Sequence, residues 1–246
     1  MVTVGGQRLT LQDFHRVIQN KEEVGLHQQS LQRVQLNYNF LERYAKDKII
    51  YGINTGFGPM AQYKISDEDQ HQLQYNLIRS HSAGSGPLFT EDLSRATMLA
   101  RLSSLMLGYS GVHPEVTELL VQLLNKEISV CIFERGGVGA SGDLVQLAHL
   151  ALNLIGEGDV LVKGQRMPAA EAFAKNNLKP LTIHLREGLS LINGTSAMTG
   201  VGMVNLLYAQ QALYVSVSLS AVVNELMKSF DDHFSWELNH VKNHPG

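Results

Sequence analysis

One cysteine in 246 residues leaves no disulfide framework, so whatever fold the chain adopts must be held by apolar packing. That cysteine, Cys131, stands in the apolar run Ile128–Phe133 and reads as a small buried hydrophobe rather than a nucleophile or ligand. Positive charge is scarce and scattered. With a net charge of -3, no basic run and no interleaving of aromatic with basic residues, nothing here suits nucleic acid or an anionic membrane surface. The first residues carry neither a basic stretch nor an apolar stretch of the kind that directs export, so a cytoplasmic location is expected. The histidines are dispersed and no His-Glu-x-x-His occurs, so no metal site is expected. Gly-x-Ser-x-Gly is absent too, which removes the hydrolase elbow. Repeats and low-complexity linkers are missing.

What is present is an apolar fraction of 44%, ample for a core, and a set of helix starts and stops. Thr10 precedes a helix over Leu11–Ile18. Ser66, followed by Asp67, Glu68 and Asp69, opens one through Arg79, and Thr90 with Glu91 and Asp92 opens one that ends at Gly108. Pro114 occupies the first turn of a helix over Val116–Leu124, and Gly142/Asp143 begin one that stops at Gly156. Strand signals are few: Ile49–Tyr51, Ile128–Phe133, and a hairpin of Val160–Val162 with Arg166–Met167 around Lys163-Gly164. The chain reads as mainly α with short β excursions.

From Gly188 to Asn224 there is no charged residue at all. A helix beginning near Ser196 would be apolar on nearly every face, which suits either a membrane span or a helix surrounded by others. Asn205, Gln210, Gln211, Ser216, Ser218 and Ser220, together with the missing aromatic belt and basic flank, favour the surrounded helix. A chain of this size would struggle to enclose it, so subunit association or further chain is expected. The composed segment Phe230–Leu238 leads into Asn243-His244-Pro245-Gly246, a turn signal that reads as a fragment boundary.

The most informative stretch is Gly136-Gly137-Val138-Gly139-Ala140-Ser141-Gly142-Asp143. An Ala-Ser-Gly tripeptide at a helix start can become an electrophile. If the Gly142 amide nitrogen attacks the Ala140 carbonyl and two waters leave, one of them from the Ser141 hydroxyl, the backbone closes into a methylidene-imidazolone. The helix that follows would aim its free N–H groups at the ring and stabilise charge developing there. A plainer reading makes Ser141 a helix cap in a glycine-rich loop. Gly137–Gly142 also satisfies G-x-G-x-x-G, the dinucleotide-binding turn. Against that turn, Glu134-Arg135 separates the preceding strand from the first glycine, and Asp159 stands at the beginning of the next strand instead of its end.

Two companion motifs sharpen the choice. Tyr51-Gly52-Ile53-Asn54-Thr55-Gly56-Phe57-Gly58 places a tyrosine at a strand end before a turning loop, and Leu189-Ser190-Leu191-Ile192-Asn193-Gly194-Thr195 places an amide ahead of the long apolar helix. Taken together the three motifs resemble the aromatic amino acid ammonia-lyase family, which includes histidine, phenylalanine and tyrosine ammonia-lyases and related aminomutases. The resemblance covers essentially the whole chain, which would be the N-terminal half of such an enzyme. It implies an L-aspartase-like helical architecture of the fumarase and histidase kind. It also implies a domain over 1–193 that forms the prosthetic group and, over 194–246, the truncated start of a central helix bundle.

For the site, the resemblance implies that Ala140, Ser141 and Gly142 form 4-methylideneimidazole-5-one, that Tyr51 acts as base, and that Asn193 supports ring and substrate. Ser80, His81 and Gly58 would contact the substrate. Two departures, Gly136-Gly137 for the usual Gly-Ser and Val145-Gln146 for the usual Ala-Pro, leave the tripeptide untouched. The run Asn76–Gly84 looks more like the tyrosine-acting members, although Ser80-His81 also occurs in histidine ammonia-lyases. The expected reaction eliminates ammonia from an aromatic amino acid, giving trans-p-coumarate from tyrosine or, alternatively, urocanate from histidine. An aminomutase would re-add the ammonia at the β carbon. Family enzymes are about twice this length and build their sites from several subunits, so a homotetramer is implied, and an inactive fragment is the non-enzymatic alternative. A nucleotide-binding oxidoreductase ranks last.

Overall fold

A computed structural model of the chain describes residues 1–46, 48–63, 65–242 and 244. In chain order the elements are β1 (Val2–Val4), α1 (Leu11–Ile18), β2 (Val24–Leu26), α2 (Gln28–Tyr44), α3 (Asp67–His81), β3 (Ser85–Leu88), α4 (Glu91–Leu105), α5 (Pro114–Asn125), β4 (Ile128–Val130), β5 (Phe133–Arg135), α6 (Leu144–Leu154), β6 (Asp159–Val162), β7 (Gln165–Pro168), α7 (Ala169–Lys175), α8 (Glu187–Ile192), α9 (Ser196–Leu226) and α10 (Trp236–His240). The chain is mainly helical with short strands, as its composition of helix starts suggests.

Local chemistry sets most of these boundaries. Thr10 and Asp13 form a reciprocal capping box on α1. Ser66 accepts from the Asp69 N–H at 3.3 Å and Thr90 from the Leu93 N–H at 3.3 Å, closing the first turns of α3 and α4. Lys163 (φ 49°) and Gly164 (φ 80°) make the tight left-handed turn of the β6–β7 hairpin. The long helix α4 is the centre of the core. Met98, Leu99, Leu102 and Leu105 on it are fully buried, and the buried Arg95 donates to the carbonyls of Leu124 and Val17, each at 3.0 Å, tying α5 and α1 to it.

Three expected strand features differ. Ile49–Tyr51 is a turn, because Asn54 takes the backbone groups a ladder would need: its Oδ1 accepts from the Ile50 N–H at 2.8 Å and its Nδ2 donates to the Lys48 carbonyl at 2.5 Å. The tyrosine therefore stands in a turn, not at a strand end. Ile128–Phe133 is two strands in two sheets. The Cys131 N–H turns to Asn153 Oδ1 at 3.0 Å, the Ile132 carbonyl meets the Phe89 N–H at 2.8 Å, and β5 pairs with β3 while β4 pairs with β6. Finally, Glu134-Arg135 belongs to β5 and does not separate it from the glycines. The dinucleotide-binding turn fails on topology instead, since β3–β5 and β4–β6–β7 are antiparallel and, among the described residues, only the small β1–β2 pair of strands is parallel.

The chain divides into two compact units, Met1–Asn205 and Leu206–Gly246. The second contains the outer part of α9, a 3-10 turn over Asp231–Phe234 and α10, which is capped by Ser235 and stacks Trp236 on His240. Its α9 segment exposes Leu213, Val217, Leu219, Val222 and Val223 in the single chain, and the helical stretch Glu187–Leu226, which includes α9, is long and apolar enough to cross a membrane by length and composition. Of the expected terminal turn, positions 243, 245 and 246 lie outside the described residues.

Candidate active site

The glycine loop between β5 and α6 is exposed through Ser141 and anchored at its end. Gly142 has φ +91°, and a Cβ there would run into the carbonyl oxygen of Gly194, so only glycine fits. The next residue completes the junction. The Asp143 N–H donates to that same carbonyl at 2.7 Å, and the Asp143 carboxylate accepts from the Met198 N–H at 2.8 Å. Asp143 thus makes no side-chain cap on the helix it precedes; it caps the N-terminus of α9 and places a carboxylate where that helix dipole favours one. Two helix N-termini, α6 and α9, meet where Ala140-Ser141-Gly142 abuts Asn193-Gly194-Thr195.

Tyr51 and Asn193 line one cleft of about 970 Å³. Tyr51 is 50% exposed, its hydroxyl 3.5 Å from the Gly58 N–H and its ring edge-on to Phe57. Asn193 ends α8 and is exposed. Arg8, Arg33, Arg101 and Arg186 line the same cleft, with Ser103, Ser190 and Thr199, and none of its lining residues among those described is acidic. Burial pulls both Arg101 and Arg186 below the usual guanidinium range.

Ser80 and His81 end α3 and do not line that cleft, nor do Gly58 and the Ala-Ser-Gly tripeptide. The loop that follows Ser80 and His81 reaches the glycine loop by another route. The Gly84 N–H donates to His149 Nε2 at 3.0 Å, and a Cβ on Gly136 would lie 3.3 Å from Gly84 Cα, so the two loops abut. Burial holds His149 below the usual histidine value, keeping it neutral, and accepting at Nε2 puts its proton on Nδ1. His81 Nδ1 lies 2.9 Å from the Leu77 carbonyl, which only accepts, so Nδ1 is the donor there and the tautomer with its proton on Nδ1 leaves Nε2 as an acceptor. Among the described residues no group of three or more His, Cys, Asp or Glu is placed to hold a metal ion.

Three contributors were not singled out from the sequence. Arg101 is a lone cation in the apolar run Met98-Leu99-Ala100-Arg101-Leu102, a pattern that could have flagged it. His149 and the carboxylate of Asp143 act through distant partners, and no local pattern marks them.

Comparisons with known proteins agree with the motifs. The family model described as aromatic amino acid lyase matches residues 9–246. The histidine ammonia-lyase of Shouchella clausii is 43% identical over 235 residues, covering 95% of this chain and 47% of that protein. Among solved structures, a tyrosine aminomutase from Streptomyces globisporus superposes with a TM-score of 0.77 at 41% identity, covering 82% of this chain and 38% of that one. A phenylalanine aminomutase from Pantoea agglomerans gives 0.91 at 30% identity, covering 99% and 47%. The chain spans about half the length of the curated relatives it matches, 47% in the case of the Shouchella enzyme.

Proposed function

Because this chain belongs to the aromatic amino acid lyase family, we propose that it forms the electrophile-bearing part of an ammonia-lyase acting on an aromatic L-amino acid, tyrosine in the first place. The observation that carries this reading is the seating of Gly142 and Asp143 on Gly194, which joins the Ala-Ser-Gly tripeptide to the Asn193 turn across more than fifty residues of sequence. Ala140-Ser141-Gly142 fits conversion to 4-methylideneimidazole-5-one. All three residues are small, Ser141 is exposed, and the surroundings of Gly142 tolerate no side chain. Once formed, that group supplies an electron-poor carbon for the substrate's amino group and makes the nitrogen a better leaving group.

The chain's own residues do the rest. Tyr51 removes the β proton as general base, in a cleft lined with four arginines and, among the described residues, no acidic one. Asn193 orients ring and substrate through its exposed amide. His81 Nε2 accepts from the phenol hydroxyl of a tyrosine side chain, with Ser80 beside it at 3.2 Å from Nδ1, and Gly58, whose N–H lies 3.5 Å from the Tyr51 hydroxyl, contacts the substrate. A bare imidazole nitrogen suits a hydroxyl donor, and this supports tyrosine. The likeness to a tyrosine aminomutase structure supports it too, while the likeness to histidine ammonia-lyases favours histidine as the second reading. The protein is proposed to be cytoplasmic and to assemble as a homotetramer, in which the exposed apolar side chains of α9 pack against other subunits.

Incubation of the purified protein with tyrosine, histidine or phenylalanine, followed by ultraviolet absorbance, tests the substrate. A p-coumarate spectrum from tyrosine is expected, and a urocanate spectrum alone selects the histidine reading. Product from none of the three refutes the activity, and a β-amino acid product in place of the arylacrylate identifies an aminomutase.

A further inference from the structure

Arg101 is a charge buried in the core of the fold. It is 3% exposed on α4, between the buried Met98, Leu99 and Leu102, and no carboxylate forms an ion pair with it among the described residues. Burying an unpaired guanidinium is costly unless it satisfies something that nothing else can. Its Nη2 donates to the carbonyl of Ser190 and, at 3.1 Å, to that of Asn193. These lie at the C-terminal end of α8, where helix carbonyls lack partners of their own and the dipole is negative. Nη1 lies directly against Gly194, so closely that a Cβ there would strike it, while Nε has no hydrogen-bond partner. On the far side of the same turn, Asp143 binds the Gly194 carbonyl and caps α9. Asn193-Gly194 is thus clamped between a cation closing one helix and an anion opening the next.

We propose that Arg101 is a positioning residue that fixes the Asn193–Gly194 turn, and through it the orientation of Gly142 and of the Asn193 amide. The role in turnover rests on the ammonia-lyase reading; the clamp itself does not. Arg101 also lines the cleft, so a cavity left by shortening it opens to solvent and can be refilled from solution.

The test uses Arg101→Ala and Arg101→Lys in the whole assembled protein, with two readouts. The first is hydrogen exchange of peptides spanning 190–198. The Ala variant is expected to exchange at least about tenfold faster there with α5 unchanged, and millimolar guanidinium, but not the neutral isostere urea, is expected to restore protection. The second is steady-state kinetics. A misplaced turn lowers kcat about 100-fold with KM within about threefold, and guanidinium recovers about tenfold of that loss. Unchanged exchange at 190–198, or equal rescue by urea, overturns the proposal. If the Ala variant does not assemble, Arg101→Lys decides: kcat within about tenfold of the parent, with protection at 190–198 retained, supports a cation clamp. Full loss of both overturns it. A parent protein that converts no aromatic amino acid, while its Arg101→Ala variant shows guanidinium-dependent protection, refutes the ammonia-lyase reading and leaves the clamp standing.

Discussion

Glu187 offers a sharp test of how the turn before α8 is held. Its carboxyl group is completely buried, with Oε1 accepting from the His113 N–H at 2.6 Å and Oε2 from the His184 N–H at 2.7 Å. Burial pushes its pKa from 4.5 up to about 7, against the pull of those two N–H bonds. At about 1.4 kcal/mol per pH unit, that shift corresponds to about 3 kcal/mol of pH-dependent stability. The folded state holds this proton more tightly than the unfolded chain. Its contribution is therefore complete below pH 4.5, falls as pH rises through about 7, and is flat beyond. His149 and His184, held below the usual value of 6.5 by burial, contribute the opposite slope near that value, so the total profile mixes both. The Glu187→Gln variant separates them. Its amide keeps one acceptor but points N–H at a backbone N–H, costing about 1–3 kcal/mol at low pH, and it does not titrate. Urea unfolding followed by circular dichroism at fixed protein concentration, from about pH 4.5 to about pH 8, gives the difference between parent and variant. That difference, parent minus variant, is expected to fall by about 3 kcal/mol as pH rises, so that above pH 7 the variant is as stable as the parent or more stable. A difference that is constant or grows with pH refutes the reasoning.

Gly142→Ala drives a methyl group into the Gly194 carbonyl at a left-handed backbone position, and is expected to abolish cyclisation and cost about 1–3 kcal/mol, read by peptide mass and by unfolding. Tyr51→Phe should reduce product formation by about 10²–10⁴-fold and leave the cyclised peptide intact, since the hydroxyl makes only a long contact at the edge of an open cleft. His81→Phe should lower turnover of tyrosine relative to phenylalanine by about tenfold or more, measured as the ratio of kcat/KM values. Gly84→Ala would place a methyl group 2.7 Å from His149 Nε2 and 2.9 Å from Phe133 Cβ; the expected result is a raised KM with the tripeptide still cyclised.

Where a boundary is written in a few neighbouring residues, it was legible without coordinates. Thr10, Ser66, Thr90 and Pro114 mark helix starts in the sequence and occupy them in the fold. The helix α2 carries no such mark, since His27 makes no side-chain cap, and the β1–β2 pair joins segments whose register, Val2 to Val24, no local pattern fixes. Ile49–Tyr51 has strand composition but loses its ladder to Asn54, and Ile128–Phe133 is divided by Asn153 from another helix. At the candidate site the motif residues Tyr51, Ser141 and Asn193 stood out because each sits in an unusual local string. What holds them in register, Arg101 behind the turn and Asp143 in front of it, depends on contacts between segments far apart in the chain. Such contacts leave no periodicity to read.

The account depends most on what happens to Ala140-Ser141-Gly142. Mass spectrometry of the proteolytic peptide containing these residues, from the purified native protein, tests it directly. The peptide is expected to be lighter than its sequence mass by two water molecules, and Ser141→Ala is expected to abolish that deficit. A peptide at its full sequence mass in protein that turns over an aromatic amino acid would contradict the account.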